Sequence, residues 1–334
     1  VPIIDRLIPA PPPEPVTDPT QGDPGAAAFR DAVATGDWPA VRAVLAATLD
    51  PDEQFLLAAI AAEVDGSEAW LPDAIRADLR SPWPLTLYGY RMVTLAWRAR
   101  TAARARFVSR EQFAVFHDRL RIAEDSFQEA VRLDPGNVPA LAELLVTARG
   151  LGMGQAEAWR RFERVTHRAP HHRAAHGQML QQLAPKWGGS LERMHAFALD
   201  STNAAPPGDP LGFLVVDAHF EQRLQDGGGL SYLRSEPVRE SVRAAARRSV
   251  LHPDYVRRRD WPRAHNAFAA IFAVQERFDL AAGQFKLIGT RMTDFPWIYL
   301  HEDDKLAFRG WRHKAYQGAG LRMDGSRGLI GRIR

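Results

Sequence analysis

Three phenylalanines, Phe127, Phe162 and Phe197, follow one another at steps of 35 residues. No other feature constrains the fold as much. A fixed self-similarity near this length is what stacked helical hairpins produce, because each hairpin can bury its apolar face only against the next. The step extends beyond one residue type. Ala123 and Ala158 stand one helical turn before the first two rings, Ala130 and Val165 follow them, and Pro135 and Pro170 close the unit. In the other half, Leu144, Met179 and Leu214 share one register, Leu145, Leu180 and Val215 the next, and Ala148, Leu183 and Ala218 a third. Leu141, Leu144, Leu145 and Ala148 form one stripe of an α-helix,. Asp134-Pro135-Gly136-Asn137 ends the preceding helix, since proline cannot continue it and glycine and asparagine accept turn geometry,.

A small residue, a ring four positions later and a proline at the end of the second helix resemble the tetratricopeptide repeat. Ala123, Phe127, Ala130 and Pro135 match that half closely, whereas Leu144, Leu145 and Ala148 stand where the family prefers leucine, glycine and tyrosine, and Leu141 replaces the opening aromatic. A distant copy follows, with Phe268, Ala269 and Phe272 ahead of Ala281, Phe285 and Ile288. The strings Ser109-Arg110-Glu111-Gln112-Phe113, Lys186-Trp187-Gly188-Gly189-Ser190 and Phe295-Pro296-Trp297 are also similar to those of an uncharacterised actinobacterial family with tetratricopeptide-like helices. The resemblance implies an all-α protein, a right-handed α-solenoid of tetratricopeptide-like hairpins. It brings no activity with it, because one scaffold hosts many jobs.

The expected organisation is a proline-rich disordered arm or linker over residues 1–25, N-terminal capping helices over 26–103, the repeat array over 104–300, and a C-terminal helix with a basic, glycine-rich tail over 301–334. Within the capping region, segments 26–34 and 39–48 read as a hairpin broken at Gly36-Asp37, followed by helices over 51–63, 67–79 and 85–103,. No apolar run approaches the roughly 18–20 residues a membrane span needs. The chain has no cysteine, which excludes disulfide and thiolate chemistry and is compatible with the cytoplasm, the expected location,. Net charge is only +3, and the basic residues are nearly all arginine. Arg243, Arg247, Arg248, Arg257, Arg258 and Arg259 could form a basic face for nucleic acid, but interspersed acids favour a solvated surface, so nucleic acid is not expected,.

Tetratricopeptide partners lie in the groove lined by each first helix, and the resemblance places Arg149, Gln181, His219 and Asn266 there. Such a groove suits an extended peptide or a packed helix. The first expectation is therefore a non-enzymatic scaffold, an adaptor or regulator for a protein or peptide partner, unless the chain's own N-terminal arm or C-terminal helix fills the groove. The alternative is an enzyme or small-ligand sensor whose pocket lies near His176, Trp187 and His219. A third is assembly into a homo-oligomer through residues 318–334. An enclosed pocket with converging polar groups favours the second expectation over the first.

Several constellations invite chemistry. His172 and His176 have the spacing of a helical metal pair, yet no carboxylate follows at ligand spacing and His176 falls in an apolar register, so no metal is expected,. Lys186 and Trp187 interrupt the third hairpin; Trp187 either stacks on a ligand or plugs the joint, with Gly188 and Gly189 making the reversal and Ser190 capping the next helix,. Asp217 and Glu221 flank His219 one turn apart and could supply acid and base groups, but the sequence provides no nucleophile or second face opposite them,. Asp226-Gly227-Gly228-Gly229 reads as a flexible turn and His301-Glu302-Asp303-Asp304 as a capped helix start. Trp261, Phe268, Phe272, Phe278 and Phe285 read as core. No catalytic residue and no cofactor are assigned.

Overall fold

Capping side chains punctuate the chain at almost every expected place. The structure, a computed structural model, describes residues 13–101 and 108–322. The first twelve residues of the arm, the boundary at 103/104 and most of the C-terminal tail lie outside the described residues. The N-terminal region forms α1 (Pro24–Thr35), α2 (Trp38–Ala47), α3 (Pro51–Glu63), α4 (Ser67–Ala77) and α5 (Trp83–Arg100). Asp23, Asp37 and Asp50 cap α1, α2 and α3, their carboxylates accepting from first-turn amides,. Ser109 and Gln112 form a reciprocal capping box that starts α6 (Arg110–Leu133),. There follow α7 (Val138–Gly150), α8 (Gly154–Thr166), α9 (Arg173–Leu183), α10 (Leu191–Ala204), α11 (Phe213–Gln225), α12 (Ser231–Arg234), α13 (Glu236–Arg248), α14 (Trp261–Val274), α15 (Phe278–Ile288), α16 (Asp294–Trp297) and α17 (Asp304–Gly318). The protein is all-α among the described residues; residues 16 and 291 form an isolated parallel bridge.

The periodic registers become the core. Ala123, Phe127, Ala130, Leu144, Leu145, Met179, Leu180 and Leu214 are buried. Phe162 and Phe197 meet edge to face at 5.4 Å, and Phe127 meets Tyr90 of α5 at 5.7 Å. The close approach of α5 and α6 depends on Gly89, where a Cβ would stand 2.4 Å from the Phe127 ring. Helices pack on their sequence neighbours from α5 to α11, and α7, α9, α11 and α14 also touch one another in turn. The distant C-terminal copy is the pair α14 and α15, with Phe268, Phe272, Phe285 and Ile288 enclosed.

The N-terminal region does more than close one end of this row. Helix α3 lies against α5, α7 and α9. Residues 13–23, expected as loose arm, run along the C-terminal helices instead. The Val16 amide donates to the Thr290 carbonyl at 2.8 Å, the Met292 amide donates to the Val16 carbonyl at 3.0 Å, and Arg291 Nε donates to the Gln21 carbonyl at 2.9 Å. Arg309 pairs with Glu14 at 3.1 Å, and Arg258 pairs with Asp50. The two ends of the described chain therefore meet.

Candidate functional site

Where α3 faces the row of α9, α11 and α14, the chain leaves a cavity of about 380 Å³. Apolar side chains form much of its wall: Phe55, Leu56 and Ala59 from α3, Ala174 and Gly177 from α9, Phe213 from α11, Trp261 and Ala264 from α14, and Phe295 from α16. The size falls within the range of small-ligand pockets, roughly 300–1,000 Å³. Two groups of charged side chains stand in this apolar surround.

The first group centres on Arg173, at the start of α9. Its Nε donates to Asp260 Oδ2 at 2.7 Å, its backbone amide donates to Asp52 Oδ1 at 2.8 Å, and its Nη2 is buried without a hydrogen-bond partner. Burial pushes the Asp52 carboxyl up to about 6 despite the opposing pull of Arg173,. Burial likewise raises Asp260 and the Tyr255 hydroxyl beside it. The second group joins α11 to α14. Arg263 Nη2 donates to Asp217 Oδ2 at 2.7 Å, and the guanidinium lies over the rings of Phe213 and Phe295, at 4.5 and 5.3 Å,. Asp217 is 5% exposed, its Oδ1 has no partner, and burial raises its carboxyl to about 6. Arg263 Nη1 is also buried and unpartnered.

Glu221, one turn beyond Asp217, is already satisfied. Its carboxylate accepts from Gln181 Nε2 at 2.7 Å, Lys186 Nζ at 2.8 Å and Tyr299 Oη at 2.8 Å. Tyr299 lines the cavity, and burial together with this carboxylate holds its phenol well above the usual range. The opposing face missing from the sequence reading of Asp217 and Glu221 is thus supplied by α14 and the turn that follows α16. Its members, Arg263 and Tyr299, carry no periodic mark.

The groove residues expected from register are dispersed. Gln181 lines the cavity. Arg149, at the end of α7, donates to the Gln178 carbonyl at 3.1 Å and to Gln178 Oε1 at 2.6 Å, and burial lowers it to about 10. His219 turns away from Asp217 toward Tyr232, 2.8 Å from its Nδ1, and Ser241, 3.3 Å from its Nε2; burial lowers it to about 3. Asn266 is fully enclosed: its Nδ2 donates to the Pro262 and Arg291 carbonyls, and its Oδ1 accepts from Trp297 Nε1 at 2.8 Å. His176 packs among Phe162 and Phe197, with its Nδ1 2.9 Å from the His172 carbonyl oxygen. His172 Nδ1 instead caps α9, accepting from the Ala175 amide, so the two rings do not converge on a common point.

Trp187 stacks edge on against Trp97 at 6.2 Å and lies beneath the Arg149 guanidinium at 5.7 Å, which fills the joint between α5 and α9. Gly188 takes a left-handed conformation there, and Ser190 accepts from the Arg193 amide to start α10. Lys186 contributes through Glu221 rather than through a free ammonium. Trp261, expected in the core, lines the cavity with Arg257 over its ring at 4.8 Å. Three of the arginines weighed as a basic face are engaged singly: Arg258 with Asp50, Arg259 beside Asp23 and Glu53, and Arg248 with the carbonyls that end α10.

No helix among the described residues is long and apolar enough to cross a membrane. Compared with protein-family models and with curated proteins, the chain matches none of them.

Proposed function

We propose that the chain is a right-handed tetratricopeptide-like α-solenoid closed on itself by its N-terminal helices, and that it binds a small ligand in the cavity between α3 and the row of α9, α11 and α14. Three facts support the architectural part: the repeat registers fall on α6 through α11, α7, α9, α11 and α14 touch in turn, and α3 lies across the helices that would otherwise line an open groove. The ligand reading rests on one observation. Arg173 Nη2, Asp217 Oδ1 and Arg263 Nη1, three buried polar atoms without partners, belong to side chains lining one cavity. Unmet polar atoms cost about 1–3 kcal/mol each, so clustering them around a void is a cost that a bound polar molecule offsets.

A protein or peptide adaptor would need access to α7 and α9, and α3 occupies that side. The test is a thermal-stability screen of the full chain against amino acids, dipeptides, nucleotides, sugar phosphates and fatty acids, repeated on Gly177→Phe. Gly177 lines the cavity, and a Cβ built there meets nothing within 4 Å, so the substitution fills the void without forcing the backbone. A ligand at 100 times its Kd stabilises by about 2.7 kcal/mol. The expected result is a stabilising compound whose effect disappears in Gly177→Phe; an undiminished effect in the variant would place binding elsewhere.

A further inference from the structure

We infer that the cavity takes a small zwitterion with an apolar body, a free amino acid or a dipeptide, its carboxylate on Arg173 and its ammonium on Asp217. The inference rests on the ligand pocket proposed above and adds what the pocket selects.

The unmet atoms are of opposite kind: two guanidinium N–H donors, Arg173 Nη2 and Arg263 Nη1, and one carboxylate oxygen, Asp217 Oδ1. Arg173 is 7% exposed and keeps a free guanidinium N–H after donating to Asp260. Asp217 is 5% exposed and keeps a free carboxylate oxygen after accepting from Arg263. A simple anion could satisfy Arg173 but would leave Asp217 Oδ1 facing it. A simple cation would do the reverse, and a neutral apolar molecule would satisfy neither. Only a ligand with both charges meets both atoms, and each contact is a charge-assisted hydrogen bond, stronger than a neutral one.

Arg173 at the start of α9 and Asp217 in α11 line the same cavity of about 380 Å³, a volume that suits a small molecule carrying both charges,. Phe55, Leu56 and Trp261 then offer their apolar surfaces to a side chain.

Isothermal titration of the full chain with L-leucine and with leucyl-leucine, each beside its N-acetyl and C-amide form, tests this. The expected result is that at least one free zwitterion binds and both of its blocked forms bind at least ten-fold more weakly. Which of the two binds more tightly assigns the ligand as amino acid or dipeptide. Asp217→Asn is expected to lose discrimination against the N-acetyl form and Arg173→Gln against the C-amide form; if either variant does not fold, the comparison of free and blocked ligands on the unaltered chain still decides. Blocked forms that bind as well as the zwitterion would overturn the inference. So would the failure of every zwitterion while another compound is lost in Gly177→Phe, and that outcome would leave the pocket itself standing. If no compound in the stability screen is lost in that variant, the pocket reading fails and takes this inference with it.

Discussion

The interior of α6–α10 and the wall of the cavity are both buried, but they are made in opposite ways. In α6–α10 the apolar part of the buried surface repeats: Phe162 and Phe197 touch at 5.4 Å across a single 35-residue step, with Trp159 and His176 packed against both rings. Around the cavity, charged side chains stand in an apolar wall and their partners come from other segments. Arg173 binds Asp52 from 121 positions away through its backbone and Asp260 from 87 away, and Arg263 pairs with Asp217 from 46 away. Apolar stacking needs only that each unit resemble the last, so selection for it leaves a period. An ion pair that closes a chain on itself occurs once and leaves none. The repeating part accounts for folding, and the singular part is where a ligand can be specified.

The largest difference between the regions is expected from deleting the ring at the centre of the apolar one. Phe127 is fully enclosed against Gly89 and Tyr90, so Phe127→Ala should destabilise the chain by about 3–5 kcal/mol in urea denaturation,. A loss below about 1 kcal/mol would mean that the periodic registers do not carry the core. Next in size is Arg173→Ala. It leaves Asp52 and Asp260 buried beside each other without their cation, and breaking a buried pair from one side costs about 3 kcal/mol or more,. Here the two regions separate by pH. Burial raises Asp52 to about 6, so its folded form binds a proton more tightly than its unfolded form. It therefore favours the fold at acid pH, and that contribution is lost as pH rises through about 6. The penalty of Arg173→Ala should accordingly be smaller at pH 5 than at pH 8, whereas that of Phe127→Ala should be unchanged.

The histidines act with the opposite sign. Burial lowers His172, His176 and His265 to about 4 and His219 to about 3, so the folded chain holds them neutral. Their contribution is fully present above about 6.5 and is lost as pH falls toward 4. At pH 5 each costs about 1–2 kcal/mol, and His219→Gln should flatten the acid side of the stability profile by that amount in thermal melts. An unchanged profile would mean that the Tyr232 and Ser241 contacts hold a protonated ring. The smallest effect belongs to the exposed part of the seam. Arg258 is half exposed beside Asp50, so Arg258→Gln should cost less than about 1 kcal/mol and nothing measurable at high salt,.

Much of the backbone could be read from the sequence, because its signals are local. The hairpin at Gly36-Asp37, the helix from residue 51 to 63, the break at Asp134 to Asn137 and the start near Ser109 are each set by a cap or a proline within a few positions. The cavity could not be read in the same way. Of its charged wall, Asp217 stood out as an acid one turn from Glu221 and Arg258 as one arginine of a possible basic face, whereas Arg263, the partner of Asp217, carried no mark in the sequence. Asp52 and Arg173 carried none either. Register placed Asn266 and His219 toward a groove because it assumes that every first helix presents the same face. At α14 that face is covered by Trp297, and beside α11 it is covered by Tyr232.

The most direct measurement is a crystal structure of the full chain grown with the compound that stabilises it most. The account predicts electron density inside the cavity, within hydrogen-bonding distance of Arg173 Nη2 and Asp217 Oδ1, with α3 still closed over α9. Density on the outer surface, or an empty cavity with α3 displaced to expose α7 and α9 to a bound chain, would contradict it.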